Sequence, residues 1–179
     1  MNTLEAIYTR RSIRKLSKET IAPKILNELL KAAMCAPSAH NEQPWQFVVI
    51  DDKALLAQIP HIHPHCPMAT MVSLGVLVAG DLRLEKSHGF WVQGCAAATQ
   101  NLLLAAHEKG LGAVWTGIFP RETIIRAFQK LLSLPKEVIP FSFVPMGQPL
   151  ESPPFSNRFL EERIHFNRWN TPPSLNSHF

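Results

Sequence analysis

At 179 residues, 46% of them hydrophobic and 18% charged, the chain is long enough to bury one substantial core. It holds no run of about 18 or more apolar residues, which excludes a helical membrane span, and MNTLEAIYTRRSIRK lacks a signal peptide's apolar core, so a cytoplasmic location is expected. The net charge of +4 is spread along the chain apart from one knot, RRSIRK at 10–15, which argues for a local anion site and against a nucleic-acid-binding face.

In chain order, the knot stands after a first helix. Pro23 opens IAPKILNELLKAAMCAPS, where Ile25, Leu26, Leu29, Leu30, Ala33 and Met34 recur at helical spacing until Pro37. FVVI (47–50) and LGVLVAG (74–80) are short apolar runs ended by Asp51 and Asp81, as expected of buried strands. Between them Asp52 is placed to cap a short helix through Ile59. Ser87–Gly110 holds the longest helix, apolar nearly all round, which puts it at the centre of the fold or at a subunit interface. AVWTGIF (113–119) reads as a strand, RETIIRAFQKLL as a helix ending before Leu134-Pro135, and VIPFSFVPMG (138–147) as a strand whose Pro140 and Pro145 imply an edge position or irregular pairing. The tail from Gln148 is proline-rich yet carries Phe155, Phe159, Ile164, Phe166 and Trp169, so it must cover its own domain or a partner subunit.

Arg10, Arg11, Ser12 and Arg14 can clamp a phosphomonoester through guanidinium forks and a hydroxyl; taken alone they read more readily as a solvated basic turn. The chain has neither GxGxxG after a strand nor GxxxxGK[ST], so a nucleotide would have to be held another way. His61, His63, His65 and Cys66 in IPHIHPHCPM are metal-ligand types, but the interleaved prolines and the lack of a second cluster favour a plain loop and no metal. Cys35, Cys66 and Cys95, odd in number and without a CxxC, read as reduced thiols.

RRSIRKL, a helix, then APSAHNEQPW and the strand FVVI resemble the nitroreductase family of flavin-dependent oxidoreductases. The likeness continues through Gln100-Asn101, GLGAVWTGIF, LPKEVIPFSFVPMGQP and RFLEERIHFNRW (158–169), and so covers nearly the whole chain. It implies an α+β fold: three α/β/α layers around a mixed, mostly antiparallel sheet, one domain over 1–179 forming an intertwined homodimer, with the tail from 148 packing on the partner. Arg10, Ser12 and Arg158 fall where that family grips the FMN phosphate and ribityl chain, with Arg11 as helper, and Arg14 falls at the N1/O2 edge of the flavin. Pro37, Ser38, Ala39 and Asn41 match the loop that packs on the flavin from the second subunit, and Trp115, Thr116 and Gly117 the strand end along it, with the Gly117 N–H near N5. Gln43, Pro44 and Trp45 are assigned structural roles. Flavin chemistry needs no acid, base or nucleophile from the chain: hydride from NAD(P)H would pass by a ping-pong scheme to a small acceptor such as a nitroaromatic or quinone. A protein that stores or senses FMN with little turnover is the alternative. The short stretch between Gly89 and Pro120 has little room for a lid and leaves the acceptor open.

Overall fold

The structure, a computed structural model, describes residues 1–171; the end of the tail, 172–179, lies outside the described residues. Helix α1 (Thr3–Thr9) starts from a capping box in which Asn2 and Glu5 satisfy each other's backbone N–H groups. Helix α2 (Pro23–Met34) follows the spacing of its apolar residues, with proline in the first turn. Asp52 caps α3 (Lys53–Ile62) by accepting from the N–H groups of Ala54 and Leu55. This helix runs past the expected Ile59, with Pro60 accommodated in its last turn. Helix α4 (Trp91–Glu108) and α5 (Glu122–Leu131) complete the set.

One sheet carries β1 (Trp45–Ile50), β2 (Leu74–Asp81), β5 (Val138–Gly147) and β3 (Gly112–Ala113) in that order, with β4 (Thr116–Gly117) also paired to β5. The pairings of these described strands are antiparallel, in keeping with the expected α+β architecture. AVWTGIF is thus two two-residue strands where one was expected. Alternate β2 residues divide between two cores. Leu74, Val76 and Val78 join the core containing Leu29 of α2 and Cys95, Ala98 and Leu102 of α4, while Leu77 and Ala79 join the one containing Leu56 of α3 and Phe128 of α5. The layers are α2/α4, sheet, and α3/α5.

The prolines of β5 resolve into irregular pairing, since the strand lies inside the sheet and not at its edge. The register jumps from Val78↔Ser142 to Ala79↔Pro140, leaving Phe141 as an extra residue opposite neither. Its carbonyl then accepts two N–H groups, those of Ile118 (2.9 Å) and Phe119 (3.0 Å), and so pins the segment after β4. Close approach to rings of the core forbids side chains at Gly75 and Gly80, where a Cβ would stand 2.2 Å from the Phe143 ring and 2.2 Å from the Trp91 ring, respectively.

The tail is divided. Its first residues pack on their own chain through the Leu16↔Pro149 bridge and the hydrogen bonds Ser17 N–H to Gln148 O and Leu150 N–H to Lys15 O. Beyond them Phe155, Phe159 and Trp169 are exposed (71%, 64% and 79%), and Ile164 and Phe166 half-buried. Among the described residues no helix is long and apolar enough to cross a membrane.

Candidate functional site

The basic knot begins where α1 ends, at Arg10, whose N–H caps the helix on Ala6 O. The Arg11 guanidinium folds back onto the carbonyls of Tyr8 (2.9 Å), Arg10 (2.8 Å) and Pro154 (3.3 Å) and lies 5.6 Å over the Phe155 ring; its Nη2 is buried without a partner. Burial, then the charges of Arg158 and Arg11, hold the pKa of the half-buried Arg10 below its ordinary value. Arg10 thus stands within the fields of two other guanidiniums, and among the described residues none of the three forms an ion pair with a carboxylate. Such a cluster draws an anion. His107, near the end of α4, meets the Thr9 hydroxyl at 2.8 Å, and burial followed by Arg10 and Arg11 lowers its pKa. The Ser12 hydroxyl is half-buried and takes part in no hydrogen bond among the described residues. Arg14 is exposed; its backbone N–H (2.6 Å) and that of Lys15 (3.0 Å) donate to the Glu151 carboxylate, which ties the turn to the tail.

The second group is the loop after α2. Three non-glycine residues there, His40, Asn41 and Gln43, have positive φ (48°, 52° and 47°), a conformation that side chains disfavour and that surrounding structure must enforce. The enforcement is visible. Ser38 Oγ accepts from the Gln43 N–H at 3.0 Å, and the N–H groups of Asn41 and Glu42 donate to the carbonyls of Ser38 and Ala39. The buried Glu42 carboxylate takes the N–H groups of Lys86 (2.7 Å) and Ser87 (3.3 Å), lashing the loop to the approach of α4. Pro37, Ser38 and Ala39 then line a cavity of about 290 Å³ with Phe90, Gln93 and Ala97, while Asn41 stays exposed beside it. Pro44 and Trp45 are buried, in agreement with structural roles.

The third group is the β4 segment. Thr116 is buried and its hydroxyl donates to Phe143 O (2.7 Å), so its side chain belongs to the sheet. Trp115 packs edge-on against Phe141 at 5.5 Å. Gly117 presents bare backbone: a Cβ built there meets only Trp115 Nε1, at 3.9 Å. A planar ring could lie against such a face.

Helix α4 keeps the first two groups apart. His107 beside the knot and Gln93 in the cavity are separated by roughly 21 Å of helix at about 1.5 Å per residue. No hydrogen bond or ion pair among the described residues joins the knot to the loop. Glu42, Glu151, His107 and the first turns of α4 were not singled out from the sequence, because their roles arise from backbone groups and neighbours distant along the chain. The four residues of the His/Cys stretch do not form a metal centre: His61 lies in α3, His63 and Cys66 are buried, and the described residues contain no group of three or more His, Cys, Asp or Glu able to hold an ion. Cys35, Cys66 and Cys95 are free.

The model of the Nitroreductase family matches residues 7–67 and 76–148, which hold every candidate residue except Arg158. A protein of Methanothermobacter thermautotrophicus, provisionally named NADH dehydrogenase/NAD(P)H nitroreductase, is 46% identical over 94% of this chain and 88% of its own. A crystal structure under the same provisional name from Parabacteroides distasonis superposes with a TM-score of 0.90 at 35% identity, covering 94% of this chain and all of that one. A provisionally assigned nitroreductase from Desulfovibrio desulfuricans, solved in complex with FMN, superposes with a TM-score of 0.82 at 30% identity, over 94% and 99% of the two chains. With its motifs, its layers and these likenesses in agreement, the chain belongs to the nitroreductase family.

Proposed function

We propose that the protein is an FMN-dependent oxidoreductase that takes hydride from NAD(P)H and reduces a small acceptor, such as a nitroaromatic or quinone, in ping-pong fashion. The observation that carries this reading is that Arg10 feels the positive charges of Arg11 and Arg158 while none of the three, among the described residues, is paired with a carboxylate, which suits a phosphate dianion. The FMN-bound relative supports the identity of that anion. FMN, when bound, supplies the hydride-accepting and electron-donating chemistry.

Arg10, Ser12 and Arg158 would hold the phosphate and ribityl chain, with Arg11 bracing them from the carbonyls of Tyr8 and Arg10. Arg14 would stand at the pyrimidine edge, where its charge favours the reduced cofactor. Trp115, Thr116 and Gly117 would lie along the ring, with the bare Gly117 backbone admitting close approach. Pro37, Ser38, Ala39 and Asn41 would pack on it from a second copy.

The roughly 21 Å of helix between knot and loop supports a homodimer, in which each half of the site takes the other half from a neighbour. Unclaimed surface supports the same assembly. Among the described residues the β1 edge is unpaired beside a cavity of about 670 Å³ lined by Val49, Asp51 and Lys53, and Leu4, Ile7 and Tyr8 of α1 are exposed, as are Phe155, Phe159 and Trp169 of the outer tail. The tail beyond Phe155 would cover the neighbour.

The purified protein should be yellow, bleach when NADH or NADPH is added anaerobically, and recolour on addition of a quinone or nitroarene. Light scattering should give about twice 20.1 kDa. Stable colour without bleaching would leave a protein that only stores or senses FMN. A protein still colourless after FMN is supplied would overturn both readings.

A further inference from the structure

Behind the open face of Gly117 stands a pair of side chains that the FMN assignment does not use. His63, in the turn after α3, is wholly buried, its ring edge-on to Phe128 (6.4 Å) and to His65 (6.2 Å). Its Nε2 lies 3.4 Å from Nη2 of Arg121, and that same Nη2 donates to the Gly117 carbonyl oxygen. Because a guanidinium can only donate, the contact gives Nε2 the lone pair and Nδ1 the proton. Nδ1 is buried and has no hydrogen-bond partner among the described residues. Burial and then the Arg121 charge push the imidazole's pKa down, against a hydrogen bond to the Gly117 backbone that acts the other way, so the ring beside the guanidinium is biased towards its neutral form. Among the described residues Arg121 forms no ion pair with a carboxylate.

Arg121 is well placed to act on the β4 segment. Its backbone is fixed as the N-cap of α5, with its N–H on Ile118 O (2.9 Å), while its side chain reaches back four residues to Gly117. Gly117 has no side chain of its own to fix its backbone angles, and its N–H and carbonyl belong to successive peptide planes. A charged donor on the carbonyl, together with the two N–H groups held by Phe141 O, leaves the Gly117–Phe119 segment one orientation.

The geometry points to His63 and Arg121 as positioning residues: His63, acting through the Arg121 guanidinium, sets the orientation of the Gly117 peptide and so of the bare backbone face offered to the cofactor ring. The positional half stands on this chain alone; its consequence for a flavin rests on the FMN reading above.

The test uses the full chain in both states. In apo-protein the Ile118 amide ¹⁵N resonance reports on the Gly117 carbonyl, since the two share a peptide plane, and in the FMN-loaded protein the midpoint potential reports on the cofactor face. Arg121→Gln and His63→Phe should shift the Ile118 resonance in the same direction, and the double variant should shift it no further than the larger single change. Both should lower the FMN potential. His63→Gln keeps an acceptor oxygen and should leave both readouts near wild type; should His63→Phe fail to fold, the difference between Arg121→Gln and Arg121→Lys on the same resonance decides. An unmoved Ile118 resonance in Arg121→Gln, or additive shifts in the double variant, overturns the proposal while FMN binding stands. Coupled shifts in a protein that binds no FMN uphold the positional relay and overturn the FMN reading instead.

Discussion

Strand β2 and the outer tail are both rich in large apolar side chains and place them oppositely. All eight β2 residues are buried, whereas Phe155, Phe159 and Trp169 stand in the open. The strand has β1 and β5 as neighbours and a helical layer on each face; the outer tail meets the edge of the basic knot, through Pro154 O and the Phe155 ring against Arg11. Apolar content sets the demand for burial, and the surface within reach decides whether the chain meets it alone. Stability should accordingly reside in the sheet and binding in the knot and tail, so that substitutions in the two regions separate the two properties.

The sharpest break should come from Phe143→Ala. The ring fills the space over Gly75 and packs on Phe128, and its loss should cost about 3–5 kcal/mol in urea unfolding of the apo-protein. A loss under about 1 kcal/mol would mean that the sheet is not where stability resides. Arg10→Ala should do the reverse, weakening FMN binding by roughly 1.5–3 kcal/mol in a titration while the apo-protein unfolds at the same urea concentration. Equal FMN affinity in the two proteins would remove Arg10 from the site.

Arg14→Gln should have a smaller effect and a different readout. Its exposed guanidinium should change the FMN midpoint potential by on the order of 1 kcal/mol, lowering it, and Arg14→Lys should retain most of the wild-type value because the charge remains. A potential in Arg14→Gln equal to wild type would place the residue away from the pyrimidine edge. The subtlest separation is by pH. His63 and His107 both have folded pKa values held below the ordinary 6.5, so each favours the native state fully above that value, and the contribution is lost as the unfolded chain takes up protons below it. Asp81 and Glu151, shifted down by Arg83 and by the N–H groups of Arg14 and Lys15, keep theirs until the pH falls below about 4.5. The urea midpoint should thus decline between pH 7.5 and 5.5, less steeply in His107→Gln, and a flat profile would contradict the burial of these rings.

How far the sequence discloses this arrangement depends on the range of the interaction. The spacing of Leu26, Leu29, Leu30 and Ala33 suffices for α2, and Asp52 marks the start of α3, because both are settled within a few residues. The likeness over RRSIRKL and APSAHNEQPW marks the knot and the loop as candidate cofactor residues. It does not reveal that Glu42 holds that loop, since its partners are backbone groups 44 and 45 residues away. Nor does Pro140 say which strand absorbs the irregularity it forces; that depends on β2 and on the two N–H groups waiting for the Phe141 carbonyl. His63 sits in a stretch that reads as a plain loop, and its neighbour Arg121 is 58 residues further along the chain.

The length of α4 has a genetic consequence. If the knot of one copy and the loop of another make each site, then two alleles that are defective alone, Arg10→Ala and a bulky replacement of Ala39, should complement each other when expressed together. A mixed dimer collects both lesions in one site and leaves its twin wholly wild type. With random assortment about half of the dimers are mixed, so about a quarter of all sites return, and a separation of roughly 21 Å along one helix would thereby appear in a cross as complementation between alleles.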